Sequence, residues 1–314
     1  VALKTDNLQI YYPFANSSCY PGTGTTVTNL GLAGSAYNGT VTANAIRASA
    51  PGNTAGTIPT YDSVQNGGVF KFYGNKGRIT IPDGSVTRIG NGIWRTIQMW
   101  VKWDSLTAPL GNGLTSATIA PIFGKLSNNT GFDGYIGYAT NTGALRLTLN
   151  AAAEYIPSTG AGFITTTPWY FITMNINTAN ATNNIRFYKN GTREYPDPTK
   201  YGATWVSTET NPLQLGTGFM NYSTSTYGGV TAGAMESFSG LIGDFMMYDV
   251  NLTDAEVLEN FNSTKGKYGF VDPGVTKYYD GTTWQTATGR KVWNGSSWID
   301  WTASKWNGTS WVSF

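Results

Sequence analysis

The sequence predicts an all-β jelly-roll sandwich with one short helix near its end, followed by a small Trp-rich β-hairpin repeat module. Three observations carry that reading. Short alternating apolar runs, punctuated by Gly, Asn, Pro and Thr, recur from the start to about residue 250. Almost no helical period intervenes, which favours two stacked sheets over an alternating α/β architecture. Beyond residue 278 the composition shifts, and six of the eleven tryptophans fall between Trp284 and Trp311.

Taken in order, the strand-like segments are Leu8–Phe14, Gly68–Phe72, Arg78–Ile81, Ile93–Trp103, Tyr135–Tyr138, Ala144–Leu149, Trp169–Ile176, Ile185–Lys189 and Leu241–Val250. Leu145-Arg-Leu-Thr-Leu149 and Trp169-Tyr-Phe-Ile-Thr-Met-Asn-Ile176 alternate, as expected of a sheet with one buried and one wetter face. The helix is expected over Thr253–Phe261. Thr253 is a natural N-cap with Glu256 three residues on, and Leu252 and Val257 complete a hydrophobic staple. Gly266 is read as its stop, and the Gly- and Pro-containing stretch Lys267–Lys277 as a linker. The domains so defined are a jelly roll at 1–268, a linker at 269–277 and the Trp-rich module at 278–314. That module holds three copies of one unit: Tyr279-Asp-Gly-Thr-Thr-Trp284, Trp293-Asn-Gly-Ser-Ser-Trp298 and Trp306-Asn-Gly-Thr-Ser-Trp311. Asp-Gly and Asn-Gly signal hairpins because type I′ turns need positive φ at both central residues. The flanking aromatics then pair directly or diagonally, according to loop length.

Composition excludes several function classes. Charged residues are only 12% and the net charge is +2, so neither nucleic acid nor membrane insertion is expected. Cys19 is the sole cysteine and histidine is absent, which removes intramolecular disulfides, His/Cys zinc sites and a His general base. The opening Val1–Asn7 lacks a charged segment leading into an apolar one, so no signal peptide is expected in it.

The motifs together resemble laminin-G-like, concanavalin A-like domains of the kind found in phage virion proteins and bacterial surface proteins. The resemblance rests on Leu8-Gln-Ile-Tyr-Tyr-Pro-Phe14, Ser18-Cys-Tyr-Pro-Gly-Thr-Gly-Thr-Thr26, Gly67-Gly-Val-Phe-Lys-Phe-Tyr-Gly74, Arg78-Ile-Thr-Ile-Pro82, Met99-Trp-Val-Lys-Trp103, Phe187-Tyr-Lys-Asn-Gly191 and Gly243-Asp-Phe-Met-Met-Tyr-Asp249 with Leu252-Thr-Asp-Ala-Glu256. It spans roughly residues 5–268. Members of that family often carry acidic residues where this chain has Tyr73-Gly-Asn-Lys-Gly-Arg78, so a structural calcium is not supported there, and no other cofactor is expected. The terminal repeats resemble modules of phage tail, fibre and head-decoration proteins.

These likenesses imply a virion structural protein, a phage fibre, tail-associated or head-decoration component, outside the cell and binding host-surface glycans. A secreted bacterial lectin or adhesin is the alternative. A polysaccharide-degrading enzyme ranks below both, because Glu154, Glu194, Glu209, Glu236, Glu256 and Glu259 form no clustered carboxylate motif on one strand. Glycan contact is expected at Asp133 and Tyr135, and at Asn221, Tyr222 and Tyr227 in the loop-rich stretch 201–227. The competing reading makes Trp205 core and the tyrosines ordinary strand or loop surface. Trp284, Trp293, Trp298, Trp301, Trp306 and Trp311 sit on a segment too small to bury them alone. They are therefore expected to form an assembly interface, with further copies of the chain or with other virion proteins.

Overall fold

The alternating runs form strands that pair antiparallel throughout the described residues. The computed structural model describes residues 2–43, 56–74, 77–89, 93–107, 119–126, 134–150, 154–155, 158–178, 185–194, 210–217 and 237–270. It also describes strand residues 277–279, 284–286, 291–293, 298–300, 304–306 and 311–313. The chain divides into two compact units, Val1–Tyr268 and Gly269–Phe314.

In the first unit the strands are β1 (Leu8–Tyr12), β2 (Thr26–Val27), β3 (Gly39–Ala43), β4 (Thr60–Asp62), β5 (Val69–Tyr73), β6 (Gly77–Ile81), β7 (Trp94–Trp103) and β8 (Ile119–Leu126). They continue as β9 (Gly134–Thr140), β10 (Leu145–Asn150), β11 (Glu154–Tyr155), β12 (Tyr170–Asn177), β13 (Ile185–Lys189), β14 (Thr192–Arg193), β15 (Leu213–Leu215) and β16 (Ser239–Tyr248), followed by helix α1 (Asp254–Thr264). One sheet runs β14-β13-β12-β7-β16-β5-β4, with β1 also paired to β16; the other runs β11-β10-β9-β8-β15-β6-β3-β2. Alternation sends every second side chain into the space between them. Ile97, Met99, Val101 and Trp103 of β7 meet Ile79 and Ile81 of β6, Leu213 and Leu215 of β15, and Leu145 and Leu147 of β10 in one apolar core.

The strand segments read from sequence are all present, to within a residue or two. Others were not legible. β8 contains Pro121 and Gly124, which break the usual pattern, and its pairing with β9 is irregular between Pro121 and Phe123, as a bulge allows. β15 is only three residues long.

The wetter face expected of β12 is not wet. Its residues from Tyr170 to Ile176 are all buried, because α1 and the turn after it lie across the outer face of the first sheet. Trp100 and Phe171 pack against Phe261, and Trp100 Nε1 donates to Thr264 Oγ1 at 2.9 Å. The polar residues of that face are paired inside the fold. Asn260 Nδ2 donates to Gln98 Oε1 (2.8 Å) and to the Tyr248 hydroxyl (2.9 Å), Gln98 Nε2 donates to Thr173 Oγ1 (3.0 Å), and Thr96 Oγ1 donates to Asn175 Oδ1 (2.6 Å). Alternation alone does not separate hydrated polar residues from polar residues bonded beneath a helix.

The helix begins as read. Thr253 accepts from the Glu256 backbone N–H, and the Glu256 carboxylate accepts from Thr253 N at 2.9 Å, closing the capping box. Its end differs. The helix runs on to Thr264 and into a 3₁₀ turn over Lys265–Tyr268 that contains Gly266, while Gly269, at φ +81°, takes the left-handed position. Lys267 and Tyr268 therefore belong to the first unit, Val1–Tyr268. At the other end of the helix's footprint, Asn190 (φ +53°) and Gly191 (φ +79°) join β13 to β14 in the two-residue turn that Asn-Gly favours. A Cβ on Gly191 would lie 2.9 Å from the Leu258 side chain of α1, so this turn also needs glycine for the close approach.

The second unit contains three antiparallel hairpins: β17 (Lys277–Tyr279) with β18 (Trp284–Thr286), β19 (Lys291–Trp293) with β20 (Trp298–Asp300), and β21 (Ser304–Trp306) with β22 (Trp311–Ser313). Tyr279 stands opposite Trp284, Trp293 opposite Trp298 and Trp306 opposite Trp311. Direct register leaves four residues between each pair, for instance 294–297. The loops are thus longer than the two-residue type I′ turn that Asn-Gly suggests.

Candidate functional site

Strand β6 reads Arg78-Ile-Thr-Ile81. Ile79 and Ile81 enter the core, so Arg78 and Thr80 project from the opposite, outer face of the second sheet. Val41 points inward from β3, which places Thr40 and Thr42 beside them, and Gln214 projects outward between the core residues Leu213 and Leu215. Register then aligns Thr40, Thr80, Gln214, Gly124, Ile136 and Thr148 in one row running from β3 to β10. Arg78 opposite Thr42 begins the next row. Gly124 interrupts the row with a position that carries no side chain. Thr40 is exposed and Thr42, Arg78 and Thr80 are half-buried, whereas Gln214 is only 1% exposed.

Four polar atoms at this end of the face lack hydrogen-bond partners, while Thr42 Oγ1 donates to the Ala43 carbonyl at 3.3 Å. Arg78 Nε and Nη1, Thr80 Oγ1 and Gln214 Oε1 are each shielded from water and make no hydrogen bond. Buried polar groups are nearly always paired, and one left bare costs roughly 1–3 kcal/mol. Several on adjoining strands make this face the candidate site. Burial also pushes the Arg78 pKa down, since the charged guanidinium gives up water, but an arginine stays protonated. Farther along the same face the polar groups are satisfied. Thr148 Oγ1 donates to the Tyr138 hydroxyl at 3.3 Å and Arg146 Nε to Ser158 Oγ at 3.1 Å. Hydroxyl, amide and guanidinium groups on two adjoining rows of one face can hydrogen-bond a polyhydroxylated ligand. They include no nucleophile paired with a base, and the described residues hold no group of three or more His, Cys, Asp or Glu able to bind a metal. Cys19 is buried, and its thiol pKa is raised to about 12 by that burial.

The residues singled out from sequence fall differently. Tyr135 is a correction. It lies in β9 with its ring in the core, against Phe123, and its hydroxyl donates to the Thr87 carbonyl at 2.7 Å, so no glycan can reach it. Asp133, Asn221, Tyr222, Tyr227 and Trp301 lie outside the described residues. Trp284, Trp293, Trp298, Trp306 and Trp311 occupy hairpin strand positions in the second unit. In the Tyr73–Arg78 segment the described residues are Tyr73 and Gly74, at and just after the end of β5, and Gly77 and Arg78 in β6. Arg78 is one of the two basic residues, with Lys76, that stand where family members often carry acidic groups, and here it is a charged member of the outer face.

A sequence profile described as the Concanavalin A-like lectin/glucanases superfamily matches residues 73–258, more than half of the chain. The chain belongs to that superfamily. No curated protein sequence matches it. Among solved structures, this concanavalin A-like domain is similar to the Trypanosoma rangeli sialidase in complex with sialic acid (14% identity, TM-score 0.54, covering 85% of this chain and 34% of that one). It is also similar to the binding domain of Paraclostridial Mosquitocidal Protein 1 (13%, TM-score 0.54, covering 82% and 52%). A third likeness is to the binding domain of Botulinum neurotoxin DC in complex with rat synaptotagmin II (14%, TM-score 0.53, covering 83% and 52%). The chain spans about a third of the sialidase structure and half of each toxin binding-domain structure, and at these identities the likeness is one of fold.

Within the concanavalin A-like domain, none of this face's residues was named from sequence as ligand-binding: Arg78 figured only as a departure from the calcium pattern, Thr40 and Thr42 not at all, and the central members missed are Thr80 and Gln214. Their signal was present in the polar centres of Ile-Thr-Ile and Leu-Gln-Leu. It became readable only once register set the two strands side by side.

Proposed function

We propose that the protein is a non-catalytic carbohydrate-binding protein whose lectin site is the outer face of the second sheet around Arg78, Thr80 and Gln214. The observation that carries this reading is the cluster of unpartnered polar atoms on those adjoining strands. The non-catalytic part rests on the sequence, which has no histidine and no clustered glutamates. The sialidase likeness does not argue for hydrolysis, because the chain covers only 34% of that structure. We place the protein on a virion, as a fibre, tail-associated or head-decoration component. The support for this is the resemblance of its terminal repeats, which would serve self-association or attachment to other virion proteins. A secreted bacterial lectin or adhesin would use the same site, and mass spectrometry of purified particles separates the two placements.

A glycan array probed with the full chain tests the site. Binding to at least one glycan class is expected, reduced at least about ten-fold by Gln214→Ala, the loss that one charge-free but buried hydrogen-bonding group supplies. Retention of full binding by this variant, with its melting temperature unchanged, would place the site elsewhere.

A further inference from the structure

We infer that the ligand on this face is an acidic glycan whose ring carboxylate is gripped by the Arg78 guanidinium. The inference rests on the carbohydrate-binding reading and names the class of sugar. Arg78 is half-buried in β6, and its Nε and Nη1 make no hydrogen bond. None of the ion pairs among the described residues involves it, whereas Lys125 and Arg88 pair with Asp83, Lys71 with Asp104 and Lys267 with Asp244. Its cross-strand neighbour is Thr42, which is neutral. A partly desolvated cation facing no anion is a costly arrangement unless an anion arrives with the ligand. The guanidinium offers donors in a planar fork that matches a carboxylate, and such charge-assisted bonds are the strong ones.

The groups around it select for sugar over other anions. Thr40, Thr42, Thr80 and Gln214 supply neutral donors and acceptors at the spacing of neighbouring strands, suited to ring hydroxyls. A nucleic-acid backbone would call for a basic stripe, and among the described residues this face has only Arg78 and Arg146 as cations, on a chain of net charge +2. Arg146, on the same face, is held by Ser158.

The test uses the full chain and isothermal titration with two pairs of probes: trigalacturonate with its methyl ester, and sialyllactose with lactose. The first pair presents a uronic carboxylate and the second a sialic one, so the pair that responds names the source. At least one acidic probe should bind about ten-fold or more tightly than its neutral partner, with the preference weakening as salt rises. Arg78→Gln should abolish the preference, and Arg78→Lys should keep part of it, while both variants melt at or above the wild-type temperature because an unpaired buried charge is removed or made more mobile. Equal binding of an acidic probe and its neutral partner, or a preference that Arg78→Gln leaves intact, overturns the acidic assignment and leaves the carbohydrate reading standing. Failure to bind all four probes, together with a blank glycan array, overturns both.

Discussion

Tyr268 shows how a single side chain can close a core at the end of a compact unit. Its ring stacks on Trp100 with centroids 4.2 Å apart and planes 14° from parallel, and its hydroxyl accepts from the buried Asp244 backbone N–H at 2.8 Å. Gly243 leaves room for it, since a Cβ there would fall 2.2 Å from the hydroxyl oxygen. In sequence Tyr268 stands between two glycines and ahead of Pro273, at the last position of the jelly roll drawn at 1–268. Nothing local announces that it is the last core residue. Tyr268→Phe keeps the stack but strips the acceptor from a buried amide. A loss of roughly 1–3 kcal/mol in urea denaturation is expected. An unchanged midpoint would mean that the Asp244 amide finds another partner and that the hydroxyl is not the tie holding the 3₁₀ turn.

Helix α1 was the most legible element, because its capping box is a local device of four residues. Its partner surface was not legible. Thr173 and Asn175 look like solvent-facing positions until the helix is laid over them, and a polar residue bonded to Asn260 or Thr96 gives the same alternation as one bonded to water. The cap also makes a pH prediction. The Glu256 carboxyl is held below its ordinary value of 4.5, chiefly because the ionised form accepts the Thr253 backbone N–H, with Lys4 adding a smaller contribution. A carboxyl whose folded pKa is depressed contributes stability that is present above its unfolded pKa and is lost as pH falls through the folded one. The unfolding free-energy difference between wild type and Glu256→Gln should therefore favour wild type near about pH 6 and shrink toward about pH 3. A difference independent of pH would show that the glutamate acts here only as a neutral acceptor.

At the scale of the whole molecule, the apolar core of the first unit is built from described residues of Val1–Tyr268, and each hairpin of the second unit pairs only within itself among the described strands. Ending the chain after Pro273 should leave the melting transition of the jelly roll unchanged and remove self-association, as measured by light scattering. Monomers of both lengths that bind particles equally would rule out the module as an assembly element. The overall sandwich was legible because alternation and turn residues are local. None of the candidate site's residues was singled out as ligand-binding from sequence, because they sit on β3, β6 and β15, strands far apart in sequence that register alone brings together. Aromatic residues drew the eye toward Tyr135, which proved to be core, while Thr80 and Gln214 carried no conspicuous chemistry of their own.

The most direct test of that site is to locate the bound sugar. Amide shifts of the isotopically labelled full chain, followed during titration with a glycan identified on the array, report which strands the ligand touches. The largest changes are expected at Thr40, Thr42, Arg78, Thr80 and Gln214, with the amides beneath α1, such as Thr173 and Asn175, unmoved. Shifts centred elsewhere, with those five amides silent at saturation, would contradict the assignment of the outer face of the second sheet as the lectin site.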